Sequence, residues 1–546
     1  MVTPSAPASF LRPLAFCLIV MTQTLFSTQF NVRDYGARGD GQTVDSAAIN
    51  DAIQAATRAG GGTVVLPAGT YLSFSVRLQS NITLYLDAGA TLLAATPSDE
   101  LGRYDAPEPN PWGQDKRYQD FGHSHWQNSL IWGEDLRNVT ITGPGLIDGA
   151  GLTRHASYAD EEDDPTGQGN KAIALKNCRN VTLSDFSMLN GGHFALLATG
   201  VDNFTIDGLT IDTNRDGLDI DACRNVRIAN CVVNSPMDDA IVLKASYALG
   251  GLKACEDITI TNCIVSGYDV GSVLDGTYRT ATERAPDRDG PTGRIKLGTE
   301  SNGDFRNITI SNCVFRRSRG LALESVDGST IEDVVISNIA MHEVTNAPIF
   351  VRLGNRARGP EDTPVGAIRR VQINGVSVGN ADGRFPIIVA GLPKHPVEEL
   401  TIQNVEVRSR GGITMEDVAQ QPDDLVNHFF LRGDEAGVRG PRTPYAVPLR
   451  EKAYPEPSMF GLLPASVLYG HHVEGLTVSN LRYRFDAADE RPLVVLQDAC
   501  DVLFERFDAP PADHGSFLLQ RVEDFETYRN RHVENTRLDE VTEQQL

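Results

Sequence analysis

The chain has 546 residues, 41% of them hydrophobic, and a formal net charge of −23. That apolar content supplies a sizeable core and excludes wholesale disorder. The acidic excess excludes general nucleic-acid binding, which needs clustered Lys and Arg to meet phosphates, so any polyanionic ligand requires a local basic patch.

The start, "FLRPLAFCLIVMTQTLFS", places one arginine ahead of an apolar run too short to span a bilayer. This is the pattern of a secretory signal, read over residues 1–28, and the expectation is a secreted or periplasmic protein with no membrane span. Residues 29–100 read as an N-terminal cap and first coils: a strand, a Gly-rich turn, a helix from about Asp45 and a glycine stop before "TVVLPAG".

From residue 101 to 524 one pattern dominates. Ten copies occur along the chain, among them "LRNVTITG", "CRNVTLSD", "CRNVRIAN" and "FRNITISN". Apolar and polar residues alternate in each, the period of a strand with one buried face. The first residue of every copy is apolar, from Leu136 through Cys178, Cys223 and Phe305 to Val473, which predicts one inward stack. Near the end of most copies stands Asn, as at Asn230, Asn262, Asn312, Asn338, Asn404 and Asn480, a residue that tolerates left-handed backbone angles and so turns a corner. Cys231, Cys263 and Cys313 follow those asparagines in register and read as stacked, buried thiols rather than bridges. The shortest repeat spacings are 22 to 26 residues. A solenoid of such coils is an all-β, right-handed parallel β-helix with a small helix-containing cap. Longer gaps near 103–128, 151–170, 277–292, 355–366 and 410–466 mark loops projecting from the corners, where specificity usually sits. The tail, 525–546, is polar and expected to fray.

Within the repeat, "TNRDGLDIDACRNVRIANCVVNSPMDDAIVLKAS" (213–246) holds five aspartates. Asp216 and Asp238 are 22 residues apart, one coil, so Asp216 meets Asp238 and Asp239 across a rung of about 4.8 Å. Three carboxylates crowded together repel, and at least one should be raised in pKa. Such a group can donate a proton while its neighbours stay ionised. Asp219 and Asp221 read as strand-edge or turn residues. Clustered carboxylates also suit calcium, but the expectation is no metal and no cofactor.

Over roughly residues 30 to 345 the sequence resembles glycoside hydrolase family 28, the polygalacturonases and rhamnogalacturonan hydrolases. The family's Asn-Thr-Asp-Gly-x-Asp stands as Asn214, Arg215, Asp216, Gly217, Leu218 and Asp219, with arginine in place of threonine. Its Asp-Asp-x-Ile-x-x-Lys runs from Asp238 and Asp239 to Lys244. The resemblance implies Asp238 as general acid, with Asp216 and Asp239 activating water for inverting hydrolysis across carboxyls about 6.5–9.5 Å apart. It also implies substrate contacts from Asn214 and Lys244.

Two departures stand out. By repeat register Arg294 occupies the place of the family's Gly-His-Gly histidine. The next coil, where the family grips a uronate with Arg-Ile-Lys, reads "GLALES" and puts Ala322 and Glu324 there, yet "RIK" itself stands at 294–296. Either register sets Arg294 and Lys296 on one strand face near the aspartates. Whether that pair or Glu324 meets the uronate stays open. The reading is an exported, monomeric glycoside hydrolase acting on an acidic, pectin-type polysaccharide. A polysaccharide lyase on the same fold and a non-catalytic carbohydrate-binding solenoid are the alternatives.

Overall fold

The structure, a computed structural model, describes residues 1–3, 28–114, 117–118, 122–153, 167–280, 289–431 and 440–546. The signal-like segment lies almost wholly outside the described residues, as does Cys17. Among the described residues, no helix is long and apolar enough to cross a membrane.

The chain winds into a right-handed parallel β-helix with few helices. One coil is Phe194–Thr199, Asp202–Asp207 and Thr210–Asp212; the next is Asp216–Asp221, Arg224–Ala229 and Val232–Asn234. Alternation puts every second side chain inside, so aliphatic residues stack from coil to coil. One column runs Leu196, Leu218, Ile241, Ile295, Leu321, Ile349, each paired in register with the next and each fully or almost fully buried. At about 25 cal/mol per Å² of apolar surface removed from water, these columns are the main source of stability.

The corners follow the asparagines. Asn230, Asn262, Asn312, Asn338, Asn404 and Asn480 all have φ between 54 and 57°, the left-handed region. A second left-handed column, Asn138, Asn180, Asn203 and Asn225, has φ of 55–58°. Its side chains form a ladder, with Asn138 donating to Asn81 at 2.8 Å, Asn180 to Asn138 at 2.9 Å and Asn203 to Asn180 at 2.8 Å. The seven described cysteines are free thiols.

At the N-terminal end, helix Ser46–Arg58 follows Asp45 and buries Ala48, Ile49, Ala52, Ile53 and Ala56 against the first strands. The opposite end corrects the expectation of a frayed tail. Thr536–Gln545 is a strand that pairs antiparallel with Phe517–Tyr528, the last parallel rung. Val541 lies opposite Val522 and Leu538 opposite Phe525, so two apolar residues in a polar stretch suffice to close the core while the polar ones face water.

Candidate active site

Asp216 opens the strand Asp216–Asp221, and Asp239 lies one rung further on, its carbonyl accepting from the Gly217 N–H at 3.0 Å. Asp238 precedes it in the turn before Ile241–Ala245. Carboxylate oxygens of Asp216, Asp238 and Asp239 come within 4.8 Å of one another. Neighbouring rungs bring them together.

Asp216 and Asp239 are driven in opposite directions. Burial, and next the charge of Asp238, push Asp216 well above the usual carboxylate range. Burial alone would push Asp239 up as well, but Lys296 and Arg294 outweigh it and hold that carboxyl low. Lys296 Nζ lies 2.5 Å and Arg294 Nε 2.8 Å from Asp239. Asp238 is the most open, paired through Oδ2 with Arg215 Nη2 at 2.8 Å. Arg215, Arg294 and Lys296 thus set three positive charges beside the three carboxyls, and a divalent cation placed there would meet like charge.

Strand Ile295–Ser301 pairs Lys296 with Val242 on one side and with Ala322 on the other. Arg294 and Lys296 therefore leave the helix on the same face, beside the aspartates, while Ile295 points inward. Together with Arg215, Asp238, Arg319, Arg450, Tyr454 and Glu456 they line one basic pocket.

Three expected substrate contacts fall elsewhere. Glu324 is fully buried, accepts from Thr299 Oγ1 at 3.2 Å and lies 3.9 Å from Arg294, so it supports the basic pair from beneath and does not line the pocket. Lys244 is enclosed by Asp219 at 2.8 Å, Glu300 at 3.4 Å and His123. Asn214 is 2% exposed, and its carbonyl accepts from the Met237 N–H at 3.0 Å, fixing the turn that carries Asp238. Asp221 accepts from the backbone and hydroxyl of Ser246 at 2.7 and 2.6 Å, a turn contact.

Sequence reasoning missed Glu456, which binds Arg294 at 3.0 Å, Arg319 at 3.3 Å and Asn346 at 3.0 Å. It comes from the 410–466 insertion, as do Phe429, Phe430, Arg450 and Tyr454 on the pocket wall. No repeat register reaches these residues; only the length of the insertion pointed to them.

Residues 29–155 match the model described as "Rhamnogalacturonase A/epimerase, pectate lyase-like", which with the coil register makes this a pectate lyase-like β-helix protein. Residues 115–283, containing all three aspartates, match "Glycosyl hydrolases family 28". The chain is 31% identical over 395 residues to a probable polygalacturonase of Vitis vinifera, covering 68% of this chain and 73% of that protein. It is 30% identical over 230 residues to an exo-poly-alpha-D-galacturonosidase of Dickeya chrysanthemi, 42% of this chain and 36% of that one. The solved family 28 exopolygalacturonase of Yersinia enterocolitica shares the fold, with a TM-score of 0.61 at 19% identity over 89% of this chain and 79% of that one. The chain belongs to glycoside hydrolase family 28 and is a polygalacturonase-like glycoside hydrolase.

Proposed function

We propose that this enzyme is exported and hydrolyses galacturonate-containing, pectin-type chains by single displacement with inversion. The observation that carries this reading is the pocket itself: a chain of net charge −23 gathers Arg215, Arg294, Lys296, Arg319 and Arg450 around Asp238. A uronate carboxylate is the sugar substituent that such a cluster favours. Asp238, the exposed member, protonates the leaving oxygen, and Asp216 with Asp239 holds the water. The nearest oxygens of the three lie within 4.8 Å of one another, where the usual inverting span is about 6.5–9.5 Å between carboxyl groups. Yet Asp216 is 3% exposed, and Asp239 is 1% exposed and clamped by two cations. Neither can readily reach an anomeric carbon, which leaves water as the nucleophile. The insertion that walls the pocket favours attack at a chain end, as the name of the Dickeya relative suggests.

Asp238→Asn keeps the shape and removes the transferable proton, so it should lower kcat by about 10²–10⁴-fold with substrate still bound. Near-normal turnover would reject Asp238 as the acid. Proton NMR of the first product should show the anomer inverted, and retention would reject single displacement. Chromatography of early products should show small sugars rather than a ladder.

A further inference from the structure

Arg215 is the first residue of the pocket to ask about, because it ties up the one carboxyl that must give a proton. It sits in the turn between Asn214 and Asp216, where Ser235 Oγ donates to its carbonyl at 2.7 Å. Its Nη2 donates to Asp238 Oδ2 at 2.8 Å, and the two side chains are 26% and 28% exposed on the pocket wall. The other oxygen, Asp238 Oδ1, accepts from the Asp239 N–H at 3.0 Å. Both oxygens therefore already accept a hydrogen bond, and the one held by Arg215 faces a cation rather than a leaving group. Arg215 also keeps a buried Nε with no hydrogen-bond partner. The guanidinium itself lines the pocket, and its planar fork suits a carboxylate, which it can grip at two points.

We propose that Arg215 is a positioning residue that couples capture of a substrate carboxylate to the arming of Asp238, so that substrate charge is read in turnover as well as in affinity. This rests on the assignment of Asp238 as the acid. The incoming carboxylate takes the guanidinium and frees Asp238 Oδ2. A proton then moves within the cluster: the O–H bond on Asp216 breaks, one on Asp238 forms, and the charge of the pair is unchanged. Their oxygens lie within 4.8 Å, a gap one water can bridge. Asp216 is the resting holder because burial and Asp238 favour its neutral form, while Lys244 opposes them and Asp219 and Asp239 add to them. After the handover Asp216 is an ionised base and Asp238 a proton donor. A neutral sugar cannot draw Arg215 away, and the proton stays on the wrong carboxyl.

The test compares kcat and KM of wild type, Arg215→Gln and Arg215→Lys on a galacturonate oligomer and its carboxyl-reduced, neutral counterpart. Arg215→Gln frees Asp238 whichever substrate arrives, so kcat on the neutral oligomer should rise toward that on the acidic one, while KM for the acidic oligomer should rise about ten- to hundredfold, the worth of one charge-assisted contact. Arg215→Lys should recover part of the affinity for the acidic oligomer and part of the discrimination in kcat. A change shared equally by both substrates, or a kcat on the neutral oligomer that does not rise, overturns the proposal. Asp238→Asn run in parallel separates the two readings. If it retains turnover, the acid assignment fails; if it is dead while Arg215→Gln keeps the acidic-to-neutral ratio, only this inference fails.

Discussion

Glu324 lies fully buried beneath Arg294 and Lys296, and its carboxyl is pushed up to about 7. Burial is the main cause; Lys296 and Arg294 pull the other way, and Glu456 and Asp239 add to the rise. A folded pKa above the unfolded value means that the native state holds the proton more tightly. The stability this contributes is complete below the unfolded pKa of about 4.5 and is lost as pH rises through about 7. Across that window the swing is about 3 kcal/mol as an order of magnitude. Glu324→Gln keeps the shape and cannot ionise. Its melting temperature relative to wild type should therefore climb between about pH 4 and pH 8, and a difference that stays flat would show that Glu324 does not titrate in this window. Residue chemistry of this kind was only half legible in the sequence. Repeat register correctly located Glu324 one coil beyond Lys296, but nothing local announces that Tyr454 and Glu456 roof the pair and turn an outward position into a buried one.

A coil corner depends on backbone angle more than on contacts. Asn312 has φ of 56°, and its Oδ1 accepts from Asn338 Nδ2 at 3.2 Å. A β-branched side chain in that left-handed well should cost about 1–2 kcal/mol. Asn312→Val is expected to lower stability by that amount, while Asn312→Gly, which loses the side-chain bond but not the angle, should cost less than about 1 kcal/mol. Thermal melts of the two variants rank them, and equal losses would assign the corner to the hydrogen-bond ladder instead. Coils were legible because alternation and corner asparagines are short-range signals repeated many times. The second left-handed column was less so, since Arg370 and Glu399 adopt it at φ of 52 and 50° without the residue type that signals it.

A solenoid exposes a sheet edge at each end, and an open edge is a template for association. Here Thr536–Gln545 covers the last rung. Deleting residues 531–546 should bare the edge of Phe517–Tyr528 and the apolar Val522 and Phe525. The truncated protein is expected to melt lower and to run as larger species than the full chain in size exclusion, and an unchanged elution position and melting temperature would show that the strand is dispensable. The polar tail misled because capping needs few apolar residues and takes its order from the rung beneath. By itself the sequence determined the solenoid, its coil length, its corners and the meeting of Asp216 with Asp238 and Asp239, since each is a periodic or near-neighbour property. Tertiary structure alone decided which groups face the pocket and which charges each is paired with. Arg294 meets a glutamate 162 residues away, and Asp238 meets the arginine that replaces a threonine one coil earlier. Burial and charge pairing in a pocket are sums over residues from several coils and a long insertion, and no local pattern carries that sum.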